Sequence, residues 1–366
     1  MNRHHLPLWL TAVAIPLATV AAAFLAAGLV VLTIGESPIE ALGILLGGAL
    51  GSGYGIGYTL FYTTSYIFTG LAVAVAFHAG HFNIGGEGQA LVGGLGAALV
   101  ALGLPGLPAP ILLPLAILGA AFGGAAWAFV PAWLQARRGS HIVITTIMFN
   151  LLAGTLTVYL LAGPLRMPGS MALETARFSD AAILPSFATI AAWFGWTAAR
   201  SPLNLSLVLA LAAAVAVWVL IWHSRLGYRI RTVGANPDAA VYAGISPARI
   251  TLVALMLSGG LAGLMATNEI LGAQGRLINE FVAGAGFVGI ATALMGRAHP
   301  YGVVLASLLF GVLAQGGAEL ALEKPRIPRE MIVVIQGFVI LFAGALENLF
   351  ADRLTMLYRR LTRDRD

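Results

Sequence analysis

The sequence predicts an all-α protein: a polytopic transmembrane helical bundle of about eight to ten spans, with both termini cytoplasmic. Three observations predict it. The first is composition. Of 366 residues, 59% are hydrophobic and 10% are charged, against about 25% charged in soluble domains, and the mean hydropathy is +0.90. The second is that the apolar residues come in uncharged runs of roughly 18–25 residues, the length that crosses a bilayer as a helix. The third is that arginines collect between these runs, where helices leave the membrane. No stretch outside the runs is large enough for a soluble domain, so residues 1–366 read as a single membrane domain.

Taken in order, clear runs fall at 8–34, 58–77, 111–134, 142–162, 203–223, 250–271, 300–320 and 331–350. The first, from Leu8 to Ile34, is far longer than the roughly 7–15 apolar residues of a signal peptide and reads as a span that stays. Residues 38–50, PIEALGILLGGAL, read as a short helix at the membrane surface or partly inserted. Two runs are weaker. Residues 85–103 begin with Glu87 and Gln89, and 284–296, GAGFVGIATALMG, are too short to cross unless strongly tilted. With ten crossings and the N-terminus inside, the inner side holds thirteen arginines, among them Arg3, Arg137, Arg225, Arg229, Arg249 and Arg353, and the outer side holds seven basic residues. The excess sets both termini inside, although EKPRIPRE at 323–330 runs against it. The longest outer segment, 163–202, reads as an ordered loop with a short helix near 181–195. The longest inner one is 224–249, SRLGYRIRTVGANPDAAVYAGISPAR.

Several function classes drop out. Cysteine is absent, so there is no disulfide, thiolate chemistry or Cys-ligated metal centre. The net charge of +5 comes from arginines flanking apolar runs, not from a basic patch with interleaved aromatics, so the implied partner is the lipid bilayer and not nucleic acid. The one lysine, Lys324, follows AELALE and cannot belong to a G-x-x-x-x-G-K-[ST] phosphate loop, and neither H-E-x-x-H nor G-x-S-x-G occurs. The chain therefore reads as a non-enzyme without its own ATPase site. An ion-coupled secondary transporter is the rival class. It would need ionisable groups at a midplane cavity, and Glu87 and Glu269 are the acidic candidates near spans.

Polar groups interrupt the apolar pattern at a few places. FNIGGEGQ (82–89) sets Asn83, Glu87 and Gln89 among glycines. A span broken by glycine beside polar groups marks a solute site in transporters, because unwound backbone is tolerated where it lines a cavity. The other readings are solvated residues at a span end, or a network in which Glu87 and Gln89 tie helices together. Thr146 and Asn150 share a helix face at i, i+4 in ITTIMFN (144–150), beside Phe149. Phe82, Asn83, Glu87, Gln89, Thr146, Phe149 and Asn150 are thus the candidate solute pathway, with interhelical hydrogen bonding as the alternative. Tyr54, Tyr58, Tyr62 and Tyr66 recur every four residues and form one helix face, for packing, an interfacial belt or a stacking surface. Asn268 and Glu269 fall near the outer end of a span, where water reaches them. His78, His81, His141 and His299 fall near inner ends and read as snorkelling tips.

In the inner loop, Asn236 is placed to cap a helix with Pro237 in its first turn, and Gly244 and Pro247 mark its end, giving a short small-residue helix over 236–248. DAAVYAGISP there resembles the coupling-helix motif of ABC importer permeases, Glu/Asp-Ala-Ala, three residues, then Gly. FNIGGEGQ, ITTIMFN, GANPDAAVYAGI (234–245) and GFVGIATALMGRAHPYGVVLASLLFG (286–311) resemble signatures of the permeases for simple sugars, branched-chain amino acids and nucleosides, and are most similar to the nucleoside branch. The resemblance implies alternating access in the cell inner membrane. Asn236, Pro237, Asp238, Ala239, Ala240 and Gly244 would couple the chain to a separate ABC ATPase subunit. That partner would use ATP and Mg, and this chain would hold no cofactor or metal. The resemblance further implies a second, non-identical permease subunit and an extracytoplasmic solute-binding lipoprotein. It favours a nucleoside as solute, then a simple sugar, then a branched-chain amino acid.

Overall fold

The computed structural model describes residues 15–327, 331, 333–338 and 341. The termini, with Arg3 and Arg353, and most of the expected run at 331–350 lie outside the described residues. Among the described residues the regular elements are helices, with two isolated bridges, Glu174 to Ile278 and Ser186 to Asn204. The chain falls into two units, one of residues 1–52 with 312–366 and one of residues 53–311.

In the first unit, α1 (Ile15–Thr33) lies within the expected run 8–34 and α2 (Pro38–Leu50) is the expected short helix at 38–50 residue for residue, the two bent by 117°. The bend is written locally. Gly35 takes a positive φ of 86°, Ser37 caps α2 by accepting from the Glu40 N–H, and Pro38 fills the first position, where no N–H is needed. The end of α13 (Pro300–Glu323) packs on α2. Val31, Ala41, Leu320 and Ile327 form a small core, and Lys324 closes it by bonding Glu40 at 2.9 Å and Glu36 at 3.3 Å. The sequence's lone lysine is thus a structural clip.

In the second unit, α3 (Gly53–His78) is the central helix: 83% of its apolar window is buried, against 28% for α5 (Ala109–Arg138), α6 (Ile142–Ala162) and α8 (Ser206–His223). Its buried Thr63, Thr64 and Thr69 return their hydroxyls to carbonyls one turn back, which makes them tolerable without water. α11 (Pro247–Ala266) continues as a π-helical stretch, Thr267–Gln274, and packs against α3, α4 (Gly86–Gly103) and α5. The contacts are built from small residues. A Cβ on Gly263 would meet the Ala120 carbonyl, and one on Gly93 would meet the Gly263 Cα. Close backbone approach of this kind is how membrane helices associate without a hydrophobic driving force.

Six helices among the described residues are long and apolar enough to cross a membrane, or seven if α1 and α2 count as one span. The two weak runs of the sequence are helices, but α12 (Ala285–Met295) has 11 residues and α4, lowered in hydropathy by Glu87 and Gln89, has 18. The loop expected on the outer side carries α7 (Phe187–Trp193) inside the expected 181–195. The inner loop departs from expectation. Its arginine-rich start is α9 (Arg225–Ala235), capped by Ser224, and α10 (Pro237–Tyr242) is shorter than the expected 236–248. Gly244, at φ 74°, stops it, and Pro247 opens α11.

Candidate functional site

Residues 82–89 form a hydrogen-bonded knot where α4 begins. The Asn83 side-chain oxygen accepts from the Gly85 N–H at 2.8 Å, and its amide donates to Gln89 Oε1 at 3.0 Å and Ser258 Oγ at 2.8 Å. Ser258 in turn donates to the Ala72 carbonyl at 2.6 Å. Asn150 reaches in from α6, accepting from the Gly88 N–H and donating to the Ile84 carbonyl, both at 2.9 Å. Glu87 accepts from the N–H groups of Gly284 at 2.8 Å and Gly286 at 2.9 Å. It therefore caps α12, whose own N-cap is a glycine, while sitting in the first turn of α4. One carboxylate serves the positive ends of two helices. The interruption in the apolar pattern thus has a local cause: two helices start inside the protein, and their first N–H groups need partners.

Thr146 is buried beside Gly85 and donates to the Ile142 carbonyl at 2.8 Å. Phe82 packs edge-on to Phe77 at 5.8 Å, and Phe149 lies 5.3 Å from Trp127, whose indole donates to the Phe149 carbonyl. The structure brings Asn83, Gln89, Asn150 and Thr146 together and gives Phe82 and Phe149 separate aromatic partners. Glu87→Ala removes the acceptor of two partly buried N–H groups, and each such loss costs up to about 1–3 kcal/mol. The detergent-solubilised variant is expected to melt several degrees below the wild type, with Glu87→Gln between them; an unchanged Glu87→Ala melting curve would rule the cap out.

A second polar cluster lines a cavity of about 510 Å3, within the range of small-molecule sites. Tyr58, Tyr62 and Tyr66 of α3 form one wall, and Ser65, Glu269, Gln274 and Phe281 others. Ser65 donates to Glu269 at 3.0 Å and accepts from Asn268 at 2.8 Å. Asn268 also donates to the Phe61 carbonyl at 3.0 Å and accepts from Asn204 at 3.1 Å. The π-helical turn carries both Asn268 and Glu269; π-bulges of this kind cluster at functional sites. The wall opposite is the segment 278–285, where Glu280 and Ala283 take left-handed φ of 56° and 49°. Such conformations cost energy and point to a functional segment. The long loop 163–202 pins that segment through Arg276 to Glu174 at 3.0 Å and main-chain bonds from Thr175 to Leu277 and Asn279 to Leu173.

The expected coupling segment has the cap read from sequence: the Asn236 side chain accepts from the N–H groups of Asp238 at 3.0 Å and Ala239 at 3.1 Å. Asn236, Pro237, Asp238, Ala239 and Gly244 are exposed. Ala240 is fully buried, and Val241 and Tyr242 point outward, Tyr242 with 95% of its surface exposed. The outward face of α10 is thus an aromatic knob beside small residues, not an alanine stripe.

The family described as "Branched-chain amino acid transport system / permease component" matches residues 55–344. The chain belongs to this permease family. The permease is 38% identical over 362 residues to the glucose ABC transporter permease protein TsgB13 of Haloferax volcanii, covering 99% of this chain and 94% of the relative. It is 36% identical to the guanosine ABC transporter permease protein NupP of Bacillus subtilis, covering 90% and 92%. It is 33% identical to the nucleoside ABC transporter permease protein NupB of Lactococcus lactis, covering 90% of each. The chain is accordingly the multi-pass membrane permease of an ABC transporter, a transport component. Sequence reasoning misplaced two of its residues. Asn268 and Glu269 were expected in water at a span end. Asn268 is fully buried and Glu269 is tied to Ser65 on the cavity wall, because the segment 275–284 and the loop 163–202 fold back over that end. Their adjacency at the close of an apolar run was the available signal.

Proposed function

We propose that the permease is one membrane half of an ABC importer, and that it moves a neutral, hydrogen-bonding solute inward through the tyrosine–Glu269 cavity by alternating access. The observation that carries this reading is the cavity lining: three tyrosines, a hydroxyl, an amide and two carboxylates, with no lysine, arginine or histidine. Aromatic faces and hydrogen-bonding groups suit a nucleoside or a simple sugar. The carboxylate of an amino acid would find no cation there. The names of the relatives, for glucose, guanosine and nucleosides, support the same two solute classes, of which we place a nucleoside first. Phe82, Asn83, Glu87, Gln89, Thr146, Phe149 and Asn150 act one layer behind, fixing the helices that shape the path.

In this reading α10 docks into a separate ATPase subunit, which binds ATP and Mg; the permease itself holds no cofactor. A second, non-identical permease supplies the other half of the path. An extracytoplasmic lipoprotein delivers solute, the termini and α10 lie in the cytoplasm, and the assembly sits in the cell inner membrane. The test is uptake by proteoliposomes holding the assembled transporter, supplied with labelled guanosine, adenosine, glucose, ribose or leucine. ATP-dependent uptake of a nucleoside or sugar supports the reading. Leucine uptake alone overturns the solute class, and uptake driven by an ion gradient without ATP overturns the importer.

Gly244 separates backbone strain from docking. A Cβ there meets nothing within 4 Å, but φ is 74°, so Gly244→Ala costs about 1 kcal/mol of left-handed strain and should leave transport within a few-fold. Gly244→Trp adds bulk on the open side and is expected to abolish solute-stimulated ATP hydrolysis while the protein stays in the membrane. Equal activity of the two variants would remove α10 from the docking surface.

A further inference from the structure

α8 ends at His223, and Ser224 turns the chain into α9. Between α9, the link 243–245 that follows α10 and the start of α11 lies a cavity of about 900 Å3, with Trp222, Arg225, Tyr228, Arg229 and Arg249 on the side away from the proposed docking face and Gly244 at its rim on that face. None of the three guanidinium groups has an acidic partner among the described residues. Arg225 and Arg229 are one turn apart and share a face of α9. Arg249 sits in the first turn of α11, whose N-cap Ser246 makes no side-chain bond, so that positive helix end is open beside the arginines.

Two further observations say what kind of anion belongs there. The cavity adjoins a belt of aromatic and imidazole rings: Trp222 with His78 at 5.0 Å and His299 at 4.9 Å, and Trp218 with His223 at 4.3 Å and Tyr301 at 6.0 Å. Such belts mark the headgroup level of a bilayer. Leading away from it, Val208, Leu211, Val215 and Val219 of α8 are all exposed and lie along one face at helical spacing. At 1.5 Å per residue this stripe is about 16 Å long, close to half of a hydrocarbon core of roughly 30 Å.

We propose that this cavity binds the phosphate-bearing headgroup of an anionic phospholipid, with one acyl chain laid along the exposed stripe of α8. Guanidinium forks match phosphate oxygens in pairs, and the stripe has the length of a single leaflet's chain. An acidic segment of a protein partner would use the arginines but not the stripe.

The test is quenching of Trp222 in lipid nanodiscs containing the full chain, its signal isolated by subtracting Trp222→Phe. Acyl-brominated phosphatidylglycerol is expected to quench at a lower mole fraction than acyl-brominated phosphatidylcholine, by about five-fold for each arginine engaged, which is the 1 kcal/mol or so per basic residue at a membrane surface. Combined Arg225→Gln, Arg229→Gln and Arg249→Gln should erase the preference, the three lysine replacements should keep most of it, and Arg177→Gln in the outer loop should keep all of it. If the triple glutamine variant does not stay monodisperse, each single variant should still lose about five-fold. Equal quenching by the two lipids, or a preference that survives the glutamine variants, overturns the site. Loss of the preference in millimolar inorganic phosphate overturns the lipid as occupant in favour of a free anion.

Discussion

Gly263→Leu is expected to prevent the central helices from assembling. Gly263 lies where α11 is pressed between α4 and α5, with the Gly124 Cα 3.1 Å from the place a Cβ would take and the Ala120 carbonyl closer still. Gly259, one turn earlier, stands in the same relation to Gly124 and Ala128. Every neighbour is backbone or a methyl group on a packed helix, so nothing can rotate away. A leucine must push α11 off α5, and the cost exceeds the roughly 1–3 kcal/mol of ordinary overpacking. The solubilised variant should elute as aggregate or melt more than about 10 °C early. Gly154→Leu on α6, where nothing lies within 4 Å of a Cβ, should behave as wild type. A Gly263→Leu protein with wild-type melting would contradict the packing described.

Glu269→Ala is expected to lose transport while keeping the fold. Its carboxylate accepts one hydrogen bond, from Ser65, and the residue lines the cavity. Leaving a buried solute donor without its acceptor costs about 1–3 kcal/mol, so uptake efficiency should fall about 5- to 100-fold, chiefly through KM. Glu269→Gln keeps an acceptor of the same shape and should fall less. Unchanged melting in both variants separates this loss from unfolding. Unchanged uptake by Glu269→Ala would remove the carboxylate from the solute path.

Much of the fold is legible in the sequence because a bilayer imposes a simple rule: uncharged apolar runs of sufficient length become helices. The 142–162 run is α6 residue for residue, and Asn236 and Pro237 cap α10 as their chemistry dictates. What the pattern cannot carry is the third dimension. Glu87 looked like a polar intrusion and is the cap of a helix some 200 positions later in the chain, a pairing no local spacing announces. The sequence marks no helix over 225–235, yet Arg225–Ala235 is one, and Gly227 and Gly234 let it lie close against the ends of α8 and α3. Glu269 read as wet because it ends an apolar run, and only the return of 275–284 shows that it faces a cavity. The tyrosines at 58, 62 and 66 were visible as a stripe, but the sequence left packing, belt and stacking open; the structure puts all three on the cavity wall.

The proposed route of the solute runs through the tyrosine–Glu269 cavity. The chain has no cysteine, so Ala273→Cys places a single thiol on that cavity's wall against a clean background. In the assembled, ATP-supplied transporter, the transported solute should slow alkylation of this thiol several-fold, and a cysteine at Gly154 on α6 should react at the same rate with or without solute. Undiminished alkylation at position 273 during measured uptake would mean that the solute takes another route.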